Sequence, residues 1–190
     1  METPAHLPQT QQRHTLADYL ELPEGAPYQL MEGQLVMTPA PTSTHQRVAF
    51  KLARLLADFV DKSDLGEVLV APIDVVVDDQ TVLQPDVLFV RKERLDIIKD
   101  RCMGPPDLVV EVLSPSNAGV DRTRKLKLYA NFGVSRAWVI DTEERTFECL
   151  GLDRGAYRIE ASWTGEEVAA PPGFAGFEVP LPTLWPRPKP

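Results

Sequence analysis

The pattern of apolar and polar positions divides this chain into helices and strands in mixed order. The clearest strand is Leu108-Val109-Val110-Glu111-Val112-Leu113, a near-continuous apolar run of the kind covered on both faces of a sheet. Pro115 stops it, and Ser116-Asn117 offer an N-cap for the next helix. That helix is predicted from about Ala118 to Phe132, ended by Gly133. At roughly 100° per residue its apolar face carries Leu128, Tyr129 and Phe132. Lys125 shares this face, as does Asp121 one turn earlier, whereas Lys127 lies opposite. Ala137-Trp138-Val139-Ile140 is a further strand, parallel to the central one if the helix is its crossover.

Upstream, residues 1–14 are polar and expected to be frayed. Thr15 caps a short helix, Leu16 to Leu22, ended by Pro23 and Gly25. Tyr28 to Met31 and Gln34 to Met37 form a hairpin turning at Glu32-Gly33. A helix capped near Ser43 or Thr44 runs to about Lys62. Its stripes Val48, Leu52, Leu55, Phe59 and Ala49, Ala53, Leu56, Val60 make a wide buried face, opposite Arg47, Lys51, Arg54 and Asp58. His45 falls on the buried side, one turn before the first apolar residue. Glu67 to Val77 is a long strand, or one bent at Pro72; Val82 to Val90 is a strand interrupted at Gln84-Pro85-Asp86. Arg91 to Ile98 is a short mixed helix or loop. Thr146 to Leu152 and Ala156 to Ser162 are antiparallel strands, and Leu181 to Trp185 packs Trp185 on the body.

This order implies an α/β (α+β) protein: a central mixed sheet of about six or more strands flanked by helices, with antiparallel strands toward the C-terminus. One domain over residues 15–185 is expected, with a flexible segment 1–14 before it and a Pro-rich tail 186–190 after it. The composition is ordinary for a globular protein, 43% hydrophobic and 25% charged. The net charge of −8 and pI near 4.9 argue against tight nonspecific nucleic-acid binding as the main task, yet suit a carboxylate-lined site that awaits a cation. Two cysteines, Cys102 and Cys149, without a CxxC pair, suggest free thiols in a reducing, cytoplasmic setting. No signal peptide is visible, and no apolar run approaches about 18 residues, so no membrane association is expected.

Three polar side chains stand where the pattern predicts core: Asp86 after Pro85, Glu111 in the central strand, and Lys125 on the inward helix face. A carboxylate inside a doubly covered strand is costly unless it is paired or holds a metal. It also lies near the C-terminal end of its strand, where open α/β sheets place their sites. Two carboxylates on neighbouring strands can hold Mg²⁺ or Mn²⁺, with water and a phosphate oxygen completing the shell, and a nearby ammonium can orient water or stabilise charge on phosphate. The competing readings are structural. Glu111 could be a buried acid satisfied by Lys125 or Arg122. Asp86 could cap a turn, and Lys125 could run along the core edge to solvent. Other chemistries lack their motifs: there is no GxSxG, HExxH, GxGxxG or GxxxxGK[ST].

Pro85-Asp86 followed by Glu111 in Glu-Val-Leu-Ser-Pro-Ser resembles the PD-(D/E)XK nuclease superfamily, with its restriction-endonuclease-like core. More narrowly, the chain resembles a bacterial family of putative restriction endonucleases, formerly a domain of unknown function. The markers are Tyr28-Gln-Leu-Met-Glu-Gly-Gln-Leu-Val, His45-Gln46, Gln84-Pro85-Asp86-Val-Leu-Phe-Val and Pro106-Asp107-Leu-Val-Val-Glu111-Val-Leu-Ser-Pro-Ser. They continue through Asp121-Arg122, Lys125-Leu126, Tyr129-Ala130, Gly133-Val134 and Trp138-Val-Ile-Asp141. The superfamily's lysine would fall at Leu113; in this family a lysine of the following helix takes its place, and Lys125 matches it. Gln29 stands where the family usually shows glutamate, and Glu32 is the nearby acid that would substitute.

The resemblance implies a divalent-metal-dependent endonuclease acting on nucleic acid, DNA first. Asp86 and Glu111 would be metal ligands joined by the Val112 carbonyl, Lys125 would act at the phosphate and attacking water, and His45, Asp121, Glu32 and Gln29 would line the site. Arg122 and Arg124 belong to a basic cluster that is either a solvated helix face or a phosphate-steering patch. A homodimer is expected of nucleases that cut both strands. The alternative is a catalytically silent nuclease-like fold serving as a nucleic-acid or protein binding or regulatory module.

Overall fold

The computed structural model describes residues 13–113 and 120–186, the side chains of 120–122 excepted. Pro115 and the Ser116-Asn117 cap, most of the N-terminal segment and residues 187–190 lie outside the described residues.

A capping box opens the first helix, α1 (Leu16–Leu20): the Thr15 hydroxyl accepts from the Asp18 amide and the Asp18 carboxylate accepts from the Thr15 amide. The helix stops at Leu20, short of the expected Leu22. Strands β1 (Tyr28–Met31) and β2 (Gln34–Met37) form the expected hairpin. Its turn residues Glu32 and Gly33 both have positive φ, 52° and 80°, as a tight hairpin turn requires. Helix α2 (Ser43–Lys62) follows; its cap is Thr42, whose hydroxyl accepts from the His45 amide. Its inward face is His45, Val48, Leu52, Ala53, Leu56 and Val60. Next come β3 (Gly66–Val70), β4 (Val75–Asp78), β5 (Thr81–Leu83), β6 (Val87–Arg91), a 3₁₀ turn over Lys92–Ile97, β7 (Cys102–Met103) and β8 (Leu108–Leu113). Helix α3 (Val120–Asn131) leads to β9 (Arg136–Asp141). The chain finishes with β10 (Thr146–Asp153), β11 (Ala156–Thr164), the short pair β12 (Val168–Ala169) and β13 (Val179–Pro180), and α4 (Leu181–Leu184).

Apart from the β12–β13 pair, the strands divide between two mixed sheets rather than forming one. The larger has the order β11-β10-β9-β8-β6-β3 and the smaller β2-β1-β5-β4-β7. The run Glu67 to Val77 is therefore two strands in different sheets, and so is the run Val82 to Val90. Proline is the physical reason. Pro72 and Pro85 carry no amide hydrogen, so each breaks its ladder and lets the chain leave one sheet for the other. The corner is tied by the Ala71 amide donating to the Asp86 carbonyl (3.0 Å) and the Asp86 amide donating to the Val110 carbonyl (3.1 Å). Asp86 thus sits where the antiparallel ribbon folds over, next to β8.

Strand β8 is interior to the larger sheet, parallel to β9 and antiparallel to β6. Its even positions Leu108, Val110 and Val112 face α2 and pack with Leu52, Leu56, Trp138 and the tail residues Leu181, Leu184 and Trp185. Its odd positions Val109 and Leu113 face α3, with Leu128, Tyr129 and Val139. Glu111 belongs to this second face. The tail is fastened as expected: the Trp185 indole donates to the Gly165 carbonyl (2.8 Å), and Lys51 donates to the carbonyls of Thr183 (2.6 Å) and Leu184 (3.2 Å) at the end of α4.

The edge pairing of β3 with β6 depends on a glycine. Gly66 has φ +148°, and a Cβ there would lie 2.0 Å from the Val90 carbonyl oxygen. Gly66→Ala is therefore expected to cost about 2–4 kcal/mol, from backbone strain plus steric displacement. The midpoint of urea denaturation would show it, and an unchanged midpoint would mean that this edge yields without penalty.

Candidate active site

Three elements of different origin deliver the polar residues to one place. The proline corner delivers Asp86, β8 delivers Glu111, and α3 delivers Lys125. The Lys125 ammonium lies 2.6 Å from Glu111 Oε1 and 2.7 Å from Oε2, and donates to the Gln84 carbonyl at 3.0 Å. Asp86 Oδ2 accepts from the Val112 amide (2.7 Å), which locks the aspartate against β8 one residue from Glu111. His45, from the first turn of α2, brings Nε2 to 3.1 Å from the same oxygen. The four side chains are largely withdrawn from solvent, at 6% exposure for His45, 9% for Lys125, 13% for Glu111 and 18% for Asp86.

The electrostatics follow from this crowding. Burial raises the Glu111 carboxyl above its ordinary range, and the Asp86 charge pushes the same way, against the opposing pull of Lys125 and Tyr129. For His45, burial alone would lower the pKa, but the hydrogen bond and charge of Asp86, aided by Glu111, outweigh it and leave the imidazole raised. Its Nδ1 is buried without a partner among the described residues.

One participant escaped the reading of the sequence. Tyr129 donates its hydroxyl to Glu111 Oε1 at 2.8 Å and is fully buried. It stands one helical turn beyond Lys125, so α3 grips Glu111 with two donors at i and i+4. That spacing was the available signal; a tyrosine inside an apolar stripe reads as core. Burial and the adjacent Glu111 charge raise the Tyr129 phenol well above its usual pKa, so it acts as a donor.

The remaining predicted site residues divide. Gln29 is buried beside the corner: its side-chain oxygen accepts from the Gln84 amide (2.8 Å) and its nitrogen donates to the Thr38 hydroxyl (3.0 Å). It braces the segment that carries Asp86 without touching the carboxylates. Glu32 does not line the site. It is exposed at the hairpin turn and pairs with Arg124 (3.2 Å), which also donates to the Met31 carbonyl (2.9 Å). Arg124 is thereby a tie between α3 and the hairpin rather than a free phosphate-steering group; opposite charges brought together by the fold have neutralised each other. The side chains of Asp121 and Arg122 lie outside the described residues.

Among the described residues no group of three or more His, Cys, Asp or Glu side chains is spaced to hold a metal ion, and no helix is long and apolar enough to cross a membrane. The donors on hand are two carboxylates, hard oxygen ligands suited to Mg²⁺ or Mn²⁺, ions that bind through one or two carboxylates and keep several waters. Asp86 Oδ1 accepts no hydrogen bond from the described residues.

The mixed α/β core, with mixed sheets flanked by helices, matches a nuclease-like fold. The chain belongs to the Uma2 family, described as "Putative restriction endonuclease", whose profile matches residues 16–182. It is similar to an uncharacterised protein of Synechocystis sp., 26% identical over 150 residues, covering 77% of this chain and 78% of that protein. In fold it is similar to the crystal structure of a putative nuclease from Anabaena variabilis, with a TM-score of 0.77 and 20% identity, covering 90% of this chain and 97% of that one.

The His45–Asp86 contact makes a pH-dependent prediction. A histidine raised on folding contributes stability that is full below the unfolded pKa and is lost as pH rises through the folded one. In metal-free protein the NMR titration midpoint of His45 is expected above 6.5. In Asp86→Asn it should drop below that value, because burial then dominates. A midpoint unmoved by that substitution would show that Asp86 does not hold the imidazolium.

Proposed function

We propose that this protein is a divalent-metal-dependent endonuclease that hydrolyses phosphodiester bonds of nucleic acid, DNA first, through a restriction-endonuclease-like domain over residues 15–185. The single observation that carries the reading is the convergence of Asp86, Glu111 and Lys125 from three separate elements into one small buried cluster. Family membership supports it independently.

Asp86 and Glu111 would hold a Mg²⁺ or Mn²⁺ ion, with the Val112 carbonyl as the neighbouring backbone donor. Bound there, such an ion lowers the pKa of a coordinated water and offsets charge on the phosphoryl group. The chain's own residues supply the rest. Lys125 brings a positive charge beside the phosphate and orients the attacking water, while the Gln84 carbonyl and Glu111 fix its ammonium. Tyr129 holds the Glu111 carboxylate in one orientation. His45 keeps Asp86 aligned from the other side. The buried free thiols of Cys102 and Cys149 fit a reducing, cytoplasmic setting. A homodimer would present two such centres to the two strands of a duplex.

A second reading has one observation in its favour. Both Glu111 oxygens already meet Lys125, and Tyr129 adds a further donor, so the acid is satisfied without a cation. A catalytically silent binding or regulatory module would look the same.

Cleavage of supercoiled and linear DNA, and of RNA, in Mg²⁺ or Mn²⁺ decides between them. Glu111→Gln is expected to lower the rate at least about 100-fold with an unchanged circular dichroism spectrum. Calorimetry should show Mn²⁺ binding that is lost in Asp86→Asn. Equal cleavage by both proteins would remove this site from the reaction, and no Mn²⁺ binding at millimolar ion would favour the module.

A further inference from the structure

We propose that the outward face of α2, formed by Gln46, Arg47, Phe50 and Arg54, is the track on which nucleic acid rests beyond the phosphodiester held at the carboxylate cluster. The inference rests on the endonuclease reading and adds to it the surface that receives the flanking strand.

The first support is an asymmetry of charge. In a chain of net charge −8, no Asp or Glu occurs between Glu32 and Asp58. The cations of that stretch are Arg47, Lys51 and Arg54. Lys51 is committed to the carbonyls at the end of α4, but Arg47 and Arg54 are exposed and make no ion pair or hydrogen bond with the described residues. Arg91, Arg94, Arg101, Arg124, Arg136 and Arg158 each meet an acid, whereas Arg13 and Arg145, like Arg47 and Arg54, form no ion pair among the described residues. Acids return only at the far end of the helix, at Asp58 and Asp61. The helix thus carries cations and no acid from Ser43 to Ala57, and its last turns hold Asp58 and Asp61 beside Lys62.

The second support is Phe50. It is 66% exposed, on the side of α2 turned away from the core, with Arg47 one turn before it and Arg54 one turn after it. An exposed ring bracketed by two guanidinium groups that no described residue pairs is suited to stacking a base while its phosphates meet the arginines. At about 1.5 Å and 100° per residue, Phe50 is about 7.5 Å and Arg54 about 13.5 Å along the axis from His45 and roughly half a turn around it, so a strand leaving the cluster would pass over the N-terminal end of α2 to reach them. A second copy of the chain fits this face poorly, since a two-fold contact would set one row of arginines against another.

The test is fluorescence anisotropy with a labelled DNA oligonucleotide, single-stranded and as a duplex, on the full chain in EDTA across a salt series. Phe50→Ala is expected to weaken single-strand binding about 5- to 100-fold. The double variant Arg47→Ala/Arg54→Ala should lower the slope of log K against log salt by about 2. Both variants should keep the wild-type melting temperature, and in Mg²⁺ they should raise KM while leaving kcat within about twofold. Affinity unchanged in both variants, in a protein whose cleavage still depends on Glu111, would overturn the track and leave the endonuclease reading intact. Cleavage indifferent to Glu111→Gln, with the variants still weakening binding, would overturn that reading and leave a nucleic-acid surface. A dimer lost in Phe50→Ala without change in DNA affinity would identify the face as a contact between copies and overturn the proposal.

Discussion

A carboxylate in the middle of a strand covered on both faces must be answered by a cation and by hydrogen bonds, and most of this fold can be traced to how Glu111 is answered. Its charge meets Lys125 on both oxygens and the Tyr129 hydroxyl on one. Both donors come from α3, so the helix has to cross β8 in one register. Removing either charge alone would strand the other, a penalty of about 3–5 kcal/mol for a buried pair. The same ammonium reaches the Gln84 carbonyl and thereby ties α3 to the corner between the two sheets. One ion pair thus connects the helix, the central strand and the segment that carries Asp86.

The corner is the second constraint. Residue Pro85 cannot donate to a ladder, so the ribbon breaks where Asp86 begins, and the aspartate can turn toward β8 instead of lying in a regular pair. Around it the polar groups are braced in layers. Gln29 accepts from the Gln84 amide, while the Gln84 side chain donates to Asp74, which also accepts from the Tyr19 hydroxyl. A cluster held this way is preorganised: its geometry is fixed by hydrogen-bonded groups outside it.

How much of this was legible in the sequence depended on whether the signal was local. The β1–β2 hairpin, α2, β8 with its acid, the crossover helix with Lys125 inward and the β10–β11 pair all follow from periodicity and turn residues, and they stand where the pattern places them. The convergence of Asp86, Glu111 and Lys125 was readable because each is a polar residue at a core position. What the pattern could not carry was the passage of two runs from one sheet to another. A strand alternates with period two on both sides of a corner, so the break at Pro72 or Pro85 looks like a bend. The pairing of Glu32 with Arg124 was hidden for a related reason. They are separated by 92 positions, and only the assembled fold reveals that they neutralise each other.

Two Pro-Asp pairs in this chain show why a motif needs its surroundings. Asp107 follows Pro106 at the start of β8, as Asp86 follows Pro85 near its end. Asp107 accepts from the Arg91 amide, the Arg91 guanidinium and Arg94 at 2.9–3.0 Å, and is nearly sealed from solvent. Its charge is spent on holding β6 and the following 3₁₀ turn to β8. Asp86 keeps an oxygen without a hydrogen bond from the described residues, lies next to a second carboxylate, and has as its side-chain partner a histidine that can change charge. Of two chemically identical dipeptides, one lies beside another acid and keeps an oxygen without a hydrogen bond from the described residues, and the other has its charge met by two arginines. The fully paired one can only hold the frame.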